Sequence, residues 1–298
     1  MNKYNQDYLL ALIKFTYDHA YYISLKPVPL SSLAVILFDD IIEWFLNIIC
    51  KCEKIECENF NLCQYFEAIV RTIEKRNKRL AEIFGSRQLT AHRVHRIRNH
   101  IKHDGIIVQE KEVQMARNLT LETLQDLIEN YFKRSWDEIS ITLLIQNDQW
   151  RQDLQKAESL IQTKQYKKAL KTMAEIFIKF LYELNQKVLE RYKRPIIVGP
   201  DIAQLKQTIL RHSSPEKLFD IINGIIDKLW YFETYYTGLI VSTTPTDFLR
   251  FWVLTPWAII GTNGITSSDV QYEPTKQEVL YCFEFLVGLM LKWQDVTI

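Results

Sequence analysis

Arg93-Val-His-Arg-Ile-Arg-Asn-His-Ile-Lys-His-Asp-Gly105 carries the densest chemistry in the chain, and four of the six histidines fall between His92 and His103. The segment reads as a helix that stops at Asp104-Gly105, because glycine just past a basic last turn is a common helix stop. At about 100° per residue, Val94, Ile97 and Ile101 share one stripe that would face a core. Arg98, His95, Lys102, Asn99 and His103 fan over the adjacent arc. A solvated charged helix normally mixes carboxylates with its cations, and this one has none before Asp104. The arrangement suits a polyanion.

The charge around this helix is local. From Arg71 to His103 there are ten Lys or Arg against Glu74 and Glu82, which leaves 27 basic and 34 acidic residues elsewhere. A net charge of +1 hides this segregation, which is the electrostatic footprint of a nucleic-acid site. The 298 residues suffice for one large or two ordinary domains, and 47% apolar with 24% charged residues is globular composition. With 8 glycines and 8 prolines, a turn-rich all-β fold and glycine-rich phosphate loops are disfavoured. No Walker-type, dinucleotide-type or zinc-protease motif is present.

The polar amino terminus leads into no secretory signal, and the apolar stretches 33–49, 248–260 and 279–293 are interrupted by acids or proline or are too short to span a bilayer. A cytoplasmic protein without membrane contact is expected. Cys50, Cys52, Cys57 and Cys63 lie in one short segment, with Cys282 apart. Their spacing lacks paired Cys-x-x-Cys knuckles, so reduced thiols are expected over a zinc site, with Cys50 and Cys282 in the core.

Nearly every segment is helical in period, so an all-α fold is expected. Helices are predicted over 4–22, over about 32–51 with Ser31 or Ser32 as cap, and over 62–84 with Gly85-Ser-Arg-Gln as breaker. Thr90 would cap the His/Arg helix, and Thr120 a long helix to about Leu144. A boundary is placed at Asn147-Asp148, giving domains 1–147 and 148–298. Beyond it the periodicity predicts helices over 150–163, 166–192, 201–211 and 214–237, a short segment from Thr246 or Asp247 to Pro256, and a final helix from Thr275 to Trp293.

The halves resemble each other. Ala34-Val-Ile-Leu-Phe-Asp-Asp-Ile-Ile-Glu-Trp-Phe-Leu46 lies over Ala169-Leu-Lys-Thr-Met-Ala-Glu-Ile-Phe-Ile-Lys-Phe-Leu181 without a gap, and Ala, Ile, Phe and Leu coincide. Two up-and-down helical bundles in tandem are the expected architecture.

Arg98-Asn99-His100-Ile101-Lys102-His103 resembles the signature of HEPN (higher eukaryotes and prokaryotes nucleotide-binding) domains, in which an arginine and a polar residue precede a histidine a few residues on. The resemblance covers about the first half of the chain. It implies a metal-independent endoribonuclease without a cofactor, of the kind found in prokaryotic defence and toxin systems, with sites formed across a pair of domains. Arg98 and His103 would be the catalytic pair and Asn99 their polar support. RNA is the expected partner, with a homodimer or an intrachain pairing of bundles, and an antitoxin or defence protein as a further partner. A non-catalytic HEPN-like RNA-binding or adaptor subunit is the alternative.

The chemistry is sensible without the family name. Cleavage through the 2′-hydroxyl needs proton transfer, which imidazole performs near neutrality, and stabilisation of charge on phosphorus, which a guanidinium fork provides. Lys102, His100, His95, Arg96, Arg93, Arg79, Arg76 and Lys75 are the expected RNA contacts. Asp39, Asp40 and Glu43 would orient Arg98 or His103, or equally form a salt bridge at the edge of the core. His95, His100 and His103 lack a carboxylate of suitable spacing for metal binding. In the second half, Thr246-Asp-Phe-Leu-Arg-Phe-Trp-Val-Leu-Thr-Pro-Trp257 aligns with the motif helix. Its Arg250 is followed by no histidine, as a degenerate HEPN-like bundle would show. The aromatics from Trp230 to Trp257 are expected in the core or an interface.

Overall fold

The computed structural model describes residues 3–192, 235, 238, 239, 241, 244–261 and 264–297. The helices expected over 201–211 and 214–237 lie outside the described residues. The protein is all-α, with one short β-hairpin among the described residues. Two compact units meet in sequence between Leu144 and Ile145.

In the first unit, α1 (Lys3–Ser24), α2 (Ser32–Glu53), α3 (Leu62–Glu74), α4 (Lys78–Asp104) and α5 (Glu110–Leu127) surround one core. α2 is its axis. Ala34, Val35, Phe38, Ile41, Ile42, Phe45, Leu46 and Ile49 are fully buried, and α1, α3, α4 and α5 all pack on this helix. A helix apolar on most sides must be covered on most sides. It ends where Lys54 turns left-handed at φ 58° and its N–H reaches the carbonyls of Cys50 and Lys51.

The expected serine cap of α2 is absent. Ser32, Leu33 and Ala34 already donate their N–H groups to Pro29, Leu30 and Ser31 carbonyls, so the first turn offers no free donor. The Ser31 and Ser32 hydroxyls are buried without a hydrogen bond. The expected break at Gly85 is also wrong. α4 runs through Gly85, and the chain turns instead at Lys75–Asn77, where the Asn77 side chain accepts from Leu80 N at 3.1 Å. One glycine costs a helix only about 1 kcal/mol, and a well-placed asparagine cap decides the start. α4 stops at Gly105 in the left-handed region, φ 64°, as the sequence predicts.

Thr120 does not start a helix; it is fully buried in the middle of α5. α5 starts at a capping box between Gln109 and Glu112 and widens into a π-helical turn, Ile128–Phe132. It does not reach Leu144, because Lys133 turns left-handed at φ 57°. The chain beyond is tied down by an Arg134–Asp7 pair at 2.6 Å and by Lys14 Nζ, which donates to the Trp136 and Ile139 carbonyls.

The second unit contains α6 (Asp148–Gln162), α7 (Tyr166–Tyr192), α8 (Pro245–Leu254), the strands β1 (Ala258–Gly261) and β2 (Gly264–Ser267), and α9 (Lys276–Thr297). α7 matches its predicted span. Trp150 Nε1 on α6 donates to Glu183 on α7 at 2.6 Å, and the Trp150 ring meets Phe180 edge-on. α8 is capped by Thr244, two residues earlier than expected, with Pro245 at its first turn. Thr275 caps α9 through Glu278 N. The antiparallel hairpin pairs Ala258 with Ser267 and was not expected from the sequence.

Candidate functional site

The site begins with a carboxylate in an apolar helix. Asp39 on α2 has 0% exposure, and a charge so placed must find partners or take up a proton. Its partners come from α4. His95 Nδ1 lies 2.9 Å from Oδ2 and 3.2 Å from Oδ1. Arg98 Nε, one turn further along α4, lies 3.4 Å from the same Oδ2. That Nε is buried and makes no hydrogen bond. The far end of the guanidinium, Nη1, donates to Asn99 Oδ1 at 2.9 Å. Arg98 is therefore held at both ends, against Asp39 on the inside and Asn99 at the edge.

Glu43 lies one turn beyond Asp39 on the same face of α2 and is half-buried. Burial raises the Asp39 carboxyl above the ordinary carboxylate range, although His95 and Arg98 pull it back down. Glu43 is raised as well, first by burial and then by the neighbouring charge of Asp39. Asp40 is half-buried beside them.

The remaining expected residues separate into groups. His100, Lys102, His103, Arg93 and Arg96 are exposed on α4, and Lys75 and Arg79 are exposed where α3 gives way to α4. Arg76 is ion-paired with Glu53, whose carboxylate also accepts from the Tyr131 hydroxyl. His95 does not stand outward among the RNA contacts; it turns to Asp39, with 27% of its side chain exposed. Arg98 and His103 do not touch. Five residues along a helix amount to about 7.5 Å of rise and about 140° of rotation, so Arg98 sits at the core edge and His103 on the exposed last turn.

Among the described residues, one trio of metal-type donors converges: Asp39, Glu43 and His95, with donor atoms all within 4.8 Å of one another. The cysteines form no such group among these residues and are free thiols. Cys63 Sγ instead lies 2.9 Å from His92 Nε2. Asp39 and Glu43 on α2 were expected as supports of Arg98 or His103; their convergence with His95 was not. The available signal was Asp39, with Asp40 and Glu43 beside it in a run of Ile, Leu and Phe, since an acid in so apolar a helix demands a buried partner. In the second unit, Arg250 lies over the Tyr281 ring at 4.1 Å.

No described helix is long and apolar enough to cross a membrane. Comparison with protein-family models, with curated proteins and with solved structures gave no match. The HEPN resemblance therefore rests on the Arg98–His103 motif alone.

Proposed function

We propose that this protein is a metal-independent endoribonuclease of HEPN type that cleaves RNA through its own 2′-hydroxyl and acts in the cytoplasm within a prokaryotic defence or toxin system. The observation that carries the reading is Arg98, a guanidinium anchored between buried Asp39 and Asn99 beside an arc of exposed cations. A side chain already fixed in place loses little entropy when it meets a phosphate, and a planar fork spreads the charge of a pentacoordinate phosphorus. His103, exposed on the last turn, supplies the proton transfer. Lys102, His100, Arg96 and Arg93 contact the backbone of the RNA, with Lys75 and Arg79 beyond them.

The spacing of Arg98 and His103 favours a site shared between two copies of α4. One helix points these side chains about 140° apart, and two helices facing each other bring an Arg98 from one to a His103 from the other. The second unit, without the histidine, is a degenerate relative that serves in pairing or in holding RNA or a protein partner.

The decisive measurement is cleavage of RNA in the presence of a chelator, with end-group analysis. Wild type should give 2′,3′-cyclic phosphate ends. Arg98→Ala and His103→Ala should each lose about 10²- to 10⁴-fold in rate. Salt-dependent binding without cleavage in any variant would replace this reading with that of an RNA-binding adaptor.

A further inference from the structure

We propose that Asp39, Glu43 and His95 form a binding site for one divalent transition-metal ion, bridging α2 and α4. This inference does not rest on the ribonuclease reading, and the ion is given no step in cleavage. The donors come from two helices and converge without help from flexible loops. Asp39 and Glu43 are stacked one turn apart on α2, and His95 approaches from α4, with the three donor atoms within 4.8 Å of one another. Metal bonds of about 2.0–2.2 Å place donors roughly 3–4 Å apart, a closure that side-chain rotation supplies.

Charge favours the ion. Asp39, Asp40 and Glu43 face Arg98 as the fixed cation in contact with Asp39, and His95 adds charge only when protonated. With neutral imidazole the group carries a formal excess of negative charge that +2 would balance. Arg98 does not close the pair: its Nε stands 3.4 Å from Asp39 Oδ2, buried, yet without a hydrogen bond. The carboxylate thus keeps lone pairs that a cation can take. The ion would take the place of the hydrogen bond between His95 Nδ1 and Asp39, and the neutral ring would keep its one proton on Nε2.

The donor set selects the metal. Two carboxylate oxygens and one imidazole nitrogen suit Mn²⁺ or Zn²⁺. Ca²⁺ wants six to eight oxygens, and Mg²⁺ keeps its waters in an octahedron, so both should bind more weakly. Mn²⁺ is the better probe, because thiolates compete for Zn²⁺ and the chain has five cysteines.

The test uses the full chain, stripped by chelator and titrated with Mn²⁺ while free ion is followed by electron paramagnetic resonance. Wild type should show one saturable site per chain. His95→Ala and Glu43→Gln should each weaken it at least tenfold. Cys63→Ser should bind as wild type does. Circular dichroism confirms that each variant is folded; Glu43→Gln preserves size at a half-buried position. Absence of saturable Mn²⁺ binding by wild type would overturn the site, as would equal binding by folded His95→Ala and Glu43→Gln.

Discussion

α2 and α7 are the same helix in their burial and different in their chemistry. Ala34, Val35, Phe38, Ile41, Ile42, Phe45 and Leu46 are buried on α2, and Ala169, Leu170, Met173, Ile176, Phe177, Phe180 and Leu181 are buried at the matching places on α7. The two exceptions are informative. Buried Asp39 corresponds to buried Ala174, and half-buried Glu43 to buried Ile178. α7 completes its apolar face at the two places where α2 inserts carboxylates. A helix that only had to hold a core together would look like α7. α2 carries acids there because α4 brings His95 and Arg98 to meet them.

The comparison can be broken most forcefully by copying the acid across. Ala174→Asp puts a carboxylate at a site with 3% exposure that holds a methyl group in wild type. An unpaired buried acid must be desolvated or protonated. The expected loss is about 3 kcal/mol or more in denaturant unfolding of the second unit. A loss below about 1 kcal/mol would mean that α7 also has a cationic partner in place for an acid.

Among its described residues the second unit also buries an aspartate, and it handles it differently. Asp153 on α6 accepts from Lys179 at 2.6 Å, Lys156 at 3.0 Å and Gln149 at 3.3 Å. Burial pushes its carboxyl up, but the bonds from Lys179, Lys156 and Gln149 outweigh that and leave it below the ordinary range. Asp39, with an imidazole and an unbonded guanidinium nitrogen, ends above it. Asp153→Asn should cost about 2 kcal/mol at neutral pH, since hydrogen bonds to charged groups contribute about 1.5–3. Because the folded value is depressed, this stability is present above the unfolded carboxyl range and is lost as pH falls through the lower folded value. Thermal melts of wild type and Asp153→Asn should therefore converge in acid. Divergence there would reverse the assignment.

α1, α2 and α7 were legible because an apolar stripe repeated over five or more turns is hard to mistake. The span of α7 and the αL stop at Gly105 are examples. Local signals misled where a competing cause outweighed them. Thr120 reads as a cap, but it is buried inside α5. The hairpin around Gly264 was passed over although Ile259, Ile260, Ile265 and Thr266 flank an Asn263-Gly264 dipeptide, a strong hairpin signal. The cations on the exposed face of α4 could be placed from the sequence. The Asp39–His95 contact, 56 residues apart, could not, since only the packing of α2 on α4 creates it. Gly85 gives a direct check on this lesson. A Cβ there would meet nothing within 4 Å, so Gly85→Ala should stabilise the first unit by up to about 1 kcal/mol. A loss of stability on chemical denaturation would restore a break at Gly85.

The smallest expected change is the most telling for the pair. Asp39→Asn keeps the shape of the side chain and removes its charge. Since the folded carboxyl of Asp39 is raised by burial, the folded state holds a proton in a range where the unfolded state has released it. Stability then falls as pH rises through that range, and the deficit persists at neutral pH. In chelator-treated samples, Asp39→Asn should therefore be within about 1 kcal/mol of wild type at pH 7 and should gain on it between acid and neutral pH. RNA cleavage should drop all the same, because Arg98 loses its inner anchor. Equal activity with unchanged stability would make the charge of Asp39 dispensable. A variant that instead loses stability steadily as pH rises would show that His95 and Arg98 overcompensate for burial, and α2 would then carry its acid for stability, as α6 carries Asp153.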